Sequence, residues 1–524
     1  MSKTSSFQEE PYDETMREKA VAAATNPELE TILSWTPEEF AAEEKKLLRK
    51  MDLRLVPWMT LLYLMSFLDR VNIGAAKLYG FMDDLNLSSH QYTIASMIFF
   101  VPYVVFEVPS NLILKKMRPS RYIPITMILW AVVQVFMGLV KNYSQLLALR
   151  FLLGFFEAGL FPGLNFYLTG WYRREELMRR VAGFFGGAVM SGAFGGVFAY
   201  AIGLMDGTAG MAGWSWIFII EGLLTFVIAF LSFWMIFDWP RDARFLTPLE
   251  KEFVIYRLKN DTGLPEGTDE GFSKRATLRG IMDWKTPLFM LAYLGAGECV
   301  YSQSLFTPTI VASLGKWSAA QSLLLSVPPY VLGFITTMTT AYISDKTKKR
   351  GIFNVFWSVV AFVGYLVLIV TKPSNVAGQY AAVYVTTMAI CPMIAVTITW
   401  AGNSFANHFK KGTAMGLVFS AGNAGGIISS FAYRPADAPP KGHYVPGHAV
   451  ALSLISLAGV VSIVLLWGLN RENKRRQAQF GSVSENEVHD YDDEEYKRRW
   501  GLEGKTRQEI VDLGDDHPAF RYIL

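Results

Sequence analysis

Cysteine is nearly absent: two residues in 524, Cys299 and Cys391, both inside apolar runs. That excludes a disulfide-stapled scaffold. Charge is scarce as well, at 18% Asp, Glu, Lys and Arg, against roughly 25% in soluble domains. The six histidines (90, 408, 443, 448, 489 and 517) are scattered through loops and tails. No His/Cys/Asp grouping has metal-ligand spacing, and no glycine-rich phosphate loop follows a strand pattern. An enzyme is therefore not expected, nor a metal, a cofactor or a nucleic-acid partner. The first fifty residues hold no apolar signal core, so the first apolar run itself serves as the targeting signal.

What the chain has instead is apolar sequence, 51% of it, gathered into blocks of bilayer-crossing length. Twelve blocks run roughly 54–78, 92–114, 122–140, 145–169, 182–204, 213–237, 287–313, 321–343, 353–371, 377–401, 412–432 and 447–469. Each is about 20 residues, enough to span hydrocarbon as a helix, and Gly or Pro inside such helices is tolerated. The lipid bilayer is thus the solvent of an all-α membrane protein with twelve transmembrane helices. Cations sort by side. Lys115, Lys116, Arg118 and Arg121, then Arg173, Arg174, Arg179 and Arg180, then Lys346, Lys348, Lys349 and Arg350 fall on one face, with mostly single cations opposite. By the positive-inside rule both tails are cytoplasmic. A monomer in the plasma membrane is expected. The N-x-S triplets at Asn86 and Asn142 then lie outside.

The blocks divide the chain into a cytoplasmic tail with an amphipathic helix (1–50), a six-helix bundle (51–237), a central cytoplasmic loop (238–286), a second six-helix bundle (287–470) and a cytoplasmic tail without recognisable motif (471–524). "WTPEEFAAEEKKLLRKMD" and "LTPLEKEFVIYRLKND" both carry helix-capping signals and read as surface helices. The halves echo each other. The fifth block has "VAGFFGGAVMSGAFGG" and the eleventh "AMGLVFSAGNAGGII", each a small-residue face ending in a glycine pair that lets helices approach closely.

Two six-helix repeats joined by a long inner loop resemble the major facilitator superfamily. Its loop signature G-x-x-x-D-[RK]-x-G-[RK]-[RK] is seen as "AYISDKTKKR" after the eighth block, with Asp345 and Lys346 in place. The first copy, "NLILKKMRPSR", has Lys115 where the acid belongs. That departure, with "LDRVNIG", "FEVPSNLILKKMRPSRYI", "LRFLLGFFEAGLFPG", "GWSWIFIIEG" and "DWPRDARFLTPLEK", is similar to the anion:cation symporter branch. Within it the chain resembles fungal allantoate, nicotinate and pantothenate permeases. The resemblance covers about residues 50–470.

Charges inside the blocks are the candidate site. Asp69 or Arg70 in hydrocarbon costs about 2.5–3.5 kcal/mol, so such groups face a cavity or a partner. Arg150 and Glu157 are seven residues apart, two helical turns on one face. With the first and fourth helices lining a central cavity, Asp69, Arg70, Arg150 and Glu157 are expected to form one cluster. The resemblance implies that Asp69 and Glu157 carry protons, and that Arg70 and Arg150 engage a small organic anion. Glu298, Tyr301 and Asn423 are further substrate-binding candidates. Glu107, Lys115, Arg118, Glu221, Asp345, Lys346 and Arg350 are expected in gating or structural positions. The implied activity is proton-coupled uptake of a small carboxylate. A proton-antiport exporter is the alternative, although the fifth block lacks the Gly-Pro step of such exporters. A non-transporting nutrient sensor is the remote one.

Overall fold

Thr36 sets the start of the first long helix in the computed structural model, which describes residues 27–262, 274–481 and 493–524 apart from 316, 373, 407, 438–442, 507, 508, 511 and 512. Its hydroxyl accepts from the Glu39 amide at 3.3 Å while Glu39 accepts from the Thr36 amide at 2.9 Å, a reciprocal capping box. A short helix α1 (Pro27–Ser34) precedes it. The helix that follows, α2 (Pro37–Ala76), runs 40 residues without interruption. The expected separate surface helix before the first span is therefore absent. It is the first sixteen residues, 37–52, of the same helix, because Pro57 interrupts no more than one turn of hydrogen bonding.

The second block is two helices, α3 (Ser89–Met97) and α4 (Phe100–Lys116), followed by α5 (Pro119–Met137). The fourth block is also broken, into α6 (Tyr143–Glu157) and α7 (Leu160–Thr169). Pro162 has no amide to offer the Ala158 carbonyl. The remaining helices are α8 (Arg174–Gly203), α9 (Gly213–Met235), α10 (Pro248–Thr262), α11 (Lys274–Met282), α12 (Lys285–Leu314), α13 (Ala319–Thr347), α14 (Arg350–Val370), α15 (Val376–Asn403), α16 (His408–Ala432) and α17 (Val445–Phe480). No strand occurs among the described residues. Among the described residues ten spans are long and apolar enough to cross a membrane by length and composition. The seventh block (α12) is not among them, because Glu298, Ser302, Gln303, Ser304 and Thr307 make it polar.

The two halves meet through matched pairs: α2 on α12, α4 on α16, and α8 on α13. Glycine makes these contacts close. A Cβ on Gly74 of α2 would meet the Leu305 carbonyl of α12, and one on Gly196 of α8 falls 2.9 Å from the Leu323 carbonyl of α13. These contacts need the missing side chain.

At the ends bearing the tails, the loop charges serve the helices they precede. Asp238 accepts from the Ser120 amide at 2.9 Å in the first turn of α5, and Arg118 reaches the same carboxylate at 3.7 Å. An acid from the central loop thus stands near the place where the loop signature lacks one. The Lys115 side chain lies outside the described residues. In the second half Asp345 pairs with Arg350 at 3.2 Å, while Lys346 is exposed.

The final segment is built into the C-terminal half, although nothing in its sequence announced this. Asp515, fully buried, meets Lys285 at 2.5 Å and Lys410 at 2.9 Å. Burial pushes the Asp515 carboxyl up, but the two ammonium groups pull it down further, so it sits below the ordinary aspartate range. Arg476 donates to the carbonyls of Asp515 and Phe520, Trp400 to that of Ile523, and the Arg350 amide to that of Leu524.

Candidate functional site

Glu157 ends α6 with one carboxylate oxygen saturated. Oε1 accepts from Ser66 Oγ at 2.5 Å and from Arg70 Nε and Nη2 at 3.1 and 2.5 Å. Oε2 has no partner among the described residues. Ser66 and Arg70 are one turn apart on α2 and so face the same way. This is the residue that sequence reasoning missed, and its i, i+4 spacing from Arg70 was the available signal. Both ions are buried, at 1% and 0% side-chain exposure. Such a pair must be compensated by further hydrogen bonds.

Arg70 supplies them. Its Nη1 donates to the Tyr301 hydroxyl at 2.8 Å, across the interface between the halves. Tyr301 donates to Asn423 Oδ1 at 2.7 Å, and Asn423 Nδ2 reaches Glu107 at 3.4 Å. Ser420 lies 3.5 Å from the same Glu107 oxygen. One polar chain therefore runs Glu157–Arg70–Tyr301–Asn423–Glu107, from α6 through α2, α12 and α16 to α4. Glu107, expected in a gating or structural place, is its far end. The guanidinium also lies 4.6 Å from the Tyr103 ring centroid and 4.7 Å from that of Phe67, an aromatic collar that suits a cation. Backbone approach of Gly297 to Gly422 aligns α12 with α16, since a Cβ on Gly297 falls 2.6 Å from the Gly422 carbonyl.

The four-charge cluster expected from the sequence does not form. Asp69 precedes Arg70, and neighbouring helical residues point about 100° apart. Its carboxylate faces away, accepting from Trp130 Nε1 at 3.1 Å and Thr225 Oγ1 at 2.8 Å. Among the described residues it has no ion pair. Arg150 is also separate. It donates to the carbonyls of Ala95 at 3.2 Å and Arg70 at 3.5 Å, and packs on Phe99. Only Arg70 and Glu157 of the four form a salt bridge. Glu298 is likewise turned from the chain. It accepts from Ser302 of its own helix at 2.6 Å, and its Oε2 has no partner among the described residues.

Beside the polar chain lies a narrow cavity of about 20 Å³ lined by Tyr63, Phe67, Tyr103, Tyr293, Tyr301 and Asn423. Aromatic walls with a few fixed polar groups and one buried cation are the usual make-up of a small-molecule site. No group of three or more His, Cys, Asp and Glu that could hold a metal occurs among the described residues.

Comparison with known proteins gives consistent results. The sequence profile of the Major Facilitator Superfamily matches residues 59–430. An uncharacterized transporter of Schizosaccharomyces pombe is 35% identical over 443 residues, covering 84% of this chain and 87% of that protein. The high-affinity nicotinic acid transporter of Saccharomyces cerevisiae is 29% identical over 482 residues, covering 92% and 85%. The crystal structure of a bacterial homologue of the human lysosomal transporter Spinster, inward-facing and unoccupied, shares the fold with a TM-score of 0.59 at 15% identity, covering 79% of this chain and 97% of that one. The profile match and the 35% identity establish that this chain belongs to the Major Facilitator Superfamily, as a multi-pass membrane transporter and not an enzyme.

Proposed function

We propose that the chain imports a small organic anion, a monocarboxylate such as nicotinate, together with protons by alternating access. One observation carries this reading: a fully buried arginine, Arg70, stands at the cavity with donors shared between Glu157 and the opposite half. Guanidinium offers a two-pronged fit to a carboxylate and stays charged at any working pH. An incoming carboxylate competes with Glu157 for that fork. Glu157, displaced, accepts a proton, and its unpartnered Oε2 is the free position. Substrate binding and protonation thereby assist each other. The likeness to a nicotinic acid transporter supports the choice of anion.

Energetics favour the coupling. A monoanion entering against an inside-negative potential costs about 2.3 kcal/mol per 100 mV. One co-transported proton cancels that charge, so the pH gradient drives accumulation. The test is uptake of radiolabelled nicotinate and other small carboxylates at two external pH values, with and without a protonophore. Uptake rises as external pH falls and collapses with protonophore. Flux indifferent to both overturns proton coupling. In Glu157→Gln, concentrative uptake is lost while exchange of labelled for unlabelled substrate persists, because exchange moves no net proton. A folded Glu157→Gln that still accumulates substrate removes Glu157 from the coupling role.

A further inference from the structure

Behind α2, on the side away from the cavity, α2, α5 and α9 enclose a second polar pocket. Asp69 Oδ2 takes its two hydrogen bonds there from Trp130 and Thr225. Its Oδ1 has no partner among the described residues. Glu221 stands one turn before Thr225 on α9 and therefore on the same face. Both of its oxygens lack partners, as do Asn72 Nδ2 and Gln134 Oε1. Asn72 stands three residues after Asp69 on α2, on the same side of that helix. Gln134 gives its amide to the Asp69 backbone carbonyl at 3.4 Å. All four side chains are at most 3% exposed.

Five orphaned polar atoms in one sealed place are unusual, since buried polar groups are almost always bonded. The charges explain the vacancy in bonding. Thr225, which donates to Asp69, carries Glu221 one turn away on the same face of α9, so the second carboxyl belongs to the same buried place. α5 presents neutral Trp130 and Gln134, and α2 itself presents Asn72 and an Arg70 committed to Glu157. Two carboxylates thus share one buried place, joined through Thr225, with no cation paired to either among the described residues. Like charges so placed cannot both ionise in a low-dielectric interior.

We propose that Asp69 and Glu221 form a paired-carboxylate site that binds one proton between them, with Asn72 and Thr225 positioning the pair, and that this pair is a second proton site of the transport cycle beside Glu157. This rests on the proton-coupled reading above and adds Glu221 to it. Binding is balanced simply: one proton from water takes the pair from two negative charges to one, and its release reverses this. The pocket communicates with the anion site through consecutive residues. Asp69 and Arg70 are neighbours on α2, and their carbonyls are held by Gln134 and Arg150 from opposite sides. A shift of α2 is therefore felt by both.

Two measurements on purified full-length protein test this. The first needs no substrate: infrared difference spectra across a pH titration, following the C=O band of buried protonated carboxyl groups. If the pair shares a proton, Glu221→Gln and Asp69→Asn perturb the same titrating band, and the double variant changes it no further than either single one. Separate, additive bands overturn the pairing. The second uses proteoliposomes and radiolabelled nicotinate. Glu221→Gln loses at least tenfold in accumulation driven by a pH gradient, and Glu221→Asp regains part of it, which a purely structural role does not predict. Accumulation driven by a sodium gradient instead overturns the proton as occupant. Should wild type show pH-driven uptake and Glu221→Gln match it, the pair fails while the transport reading stands. If wild type itself shows none, the transport reading fails, and the infrared result alone decides the pair.

Discussion

Around the central polar chain the N-terminal half contributes Arg70, Glu157 and Glu107 together with the hydroxyls of Ser66, Tyr63 and Tyr103, whereas the C-terminal half contributes Tyr293, Tyr301, Ser420 and Asn423. The one buried acid of α12, Glu298, is not part of that chain. The ions thus come from one side of the interface, and the other side supplies neutral donors and acceptors alone. A fixed guanidinium reads the charge of a ligand and little else. Hydroxyl and amide groups, each able to donate and accept, read where its other polar atoms lie. On the proposed function, the first half carries charge recognition and coupling, and the second half carries the choice among anions.

Three substitutions break or sharpen this division. The largest effect is expected for Arg150→Lys. Charge is retained, but the two-pronged hold on the carbonyls of Ala95 and Arg70 is lost. Hydrogen bonds from a charged group are worth about 1.5–3 kcal/mol each, so initial uptake per surface-expressed molecule falls roughly 10- to 100-fold. Normal uptake makes Arg150 a spectator. Tyr301→Phe comes next. It removes the hydroxyl joining Arg70 to Asn423 while keeping the ring stacked on Phe67. At about 0.5–1.5 kcal/mol for a neutral hydrogen bond, KM for the preferred carboxylate rises roughly two- to tenfold, with a change in the ranking of anions in competition assays. A fall in pH-driven accumulation without any change in ranking assigns Tyr301 to coupling and blurs the division. The smallest effect belongs to Glu298→Gln, which preserves the contact with Ser302. Uptake and its pH dependence stay within about twofold, the scale of a single neutral bond retained. Loss of pH dependence there places a coupling acid in the second half and ends the comparison.

The spans were legible because lipid imposes them: a block of 20 apolar residues has few other readings. The pairing of Arg70 with Glu157 was reachable through the charges themselves, since a buried ion needs a partner. What escaped is of three kinds. Asp69 was grouped with Arg70 by adjacency, but a helix sends neighbours to different faces, and which face meets the cavity depends on how α2 is rotated. The contact of Tyr301 with Asn423 joins residues 122 apart in sequence and depends on the fit of Gly297 against Gly422, where the glycines announce closeness without naming the partner. Asp515 reads as one more acid in a polar tail. Its destination is set by Lys285 and Lys410, two cations at helix ends that look like ordinary inner-loop charge.

The end of the chain bears on how motion in this protein can be watched. Residues 515–524 are fastened to α12, α14, α15, α16 and α17 by Lys285, Arg350, Trp400, Lys410 and Arg476. On the same side, α10 is fastened to the first half, since Arg257 binds Glu44 at 2.7 Å and also pairs with Glu176. Each half therefore carries its own handle. If the halves rock as rigid bodies, as in other transporters built from repeats, the distance between a spin label on α10 and one on the exposed Glu503 is a ruler for that rocking. The ruler reads the cycle from the water, leaving the buried charges untouched.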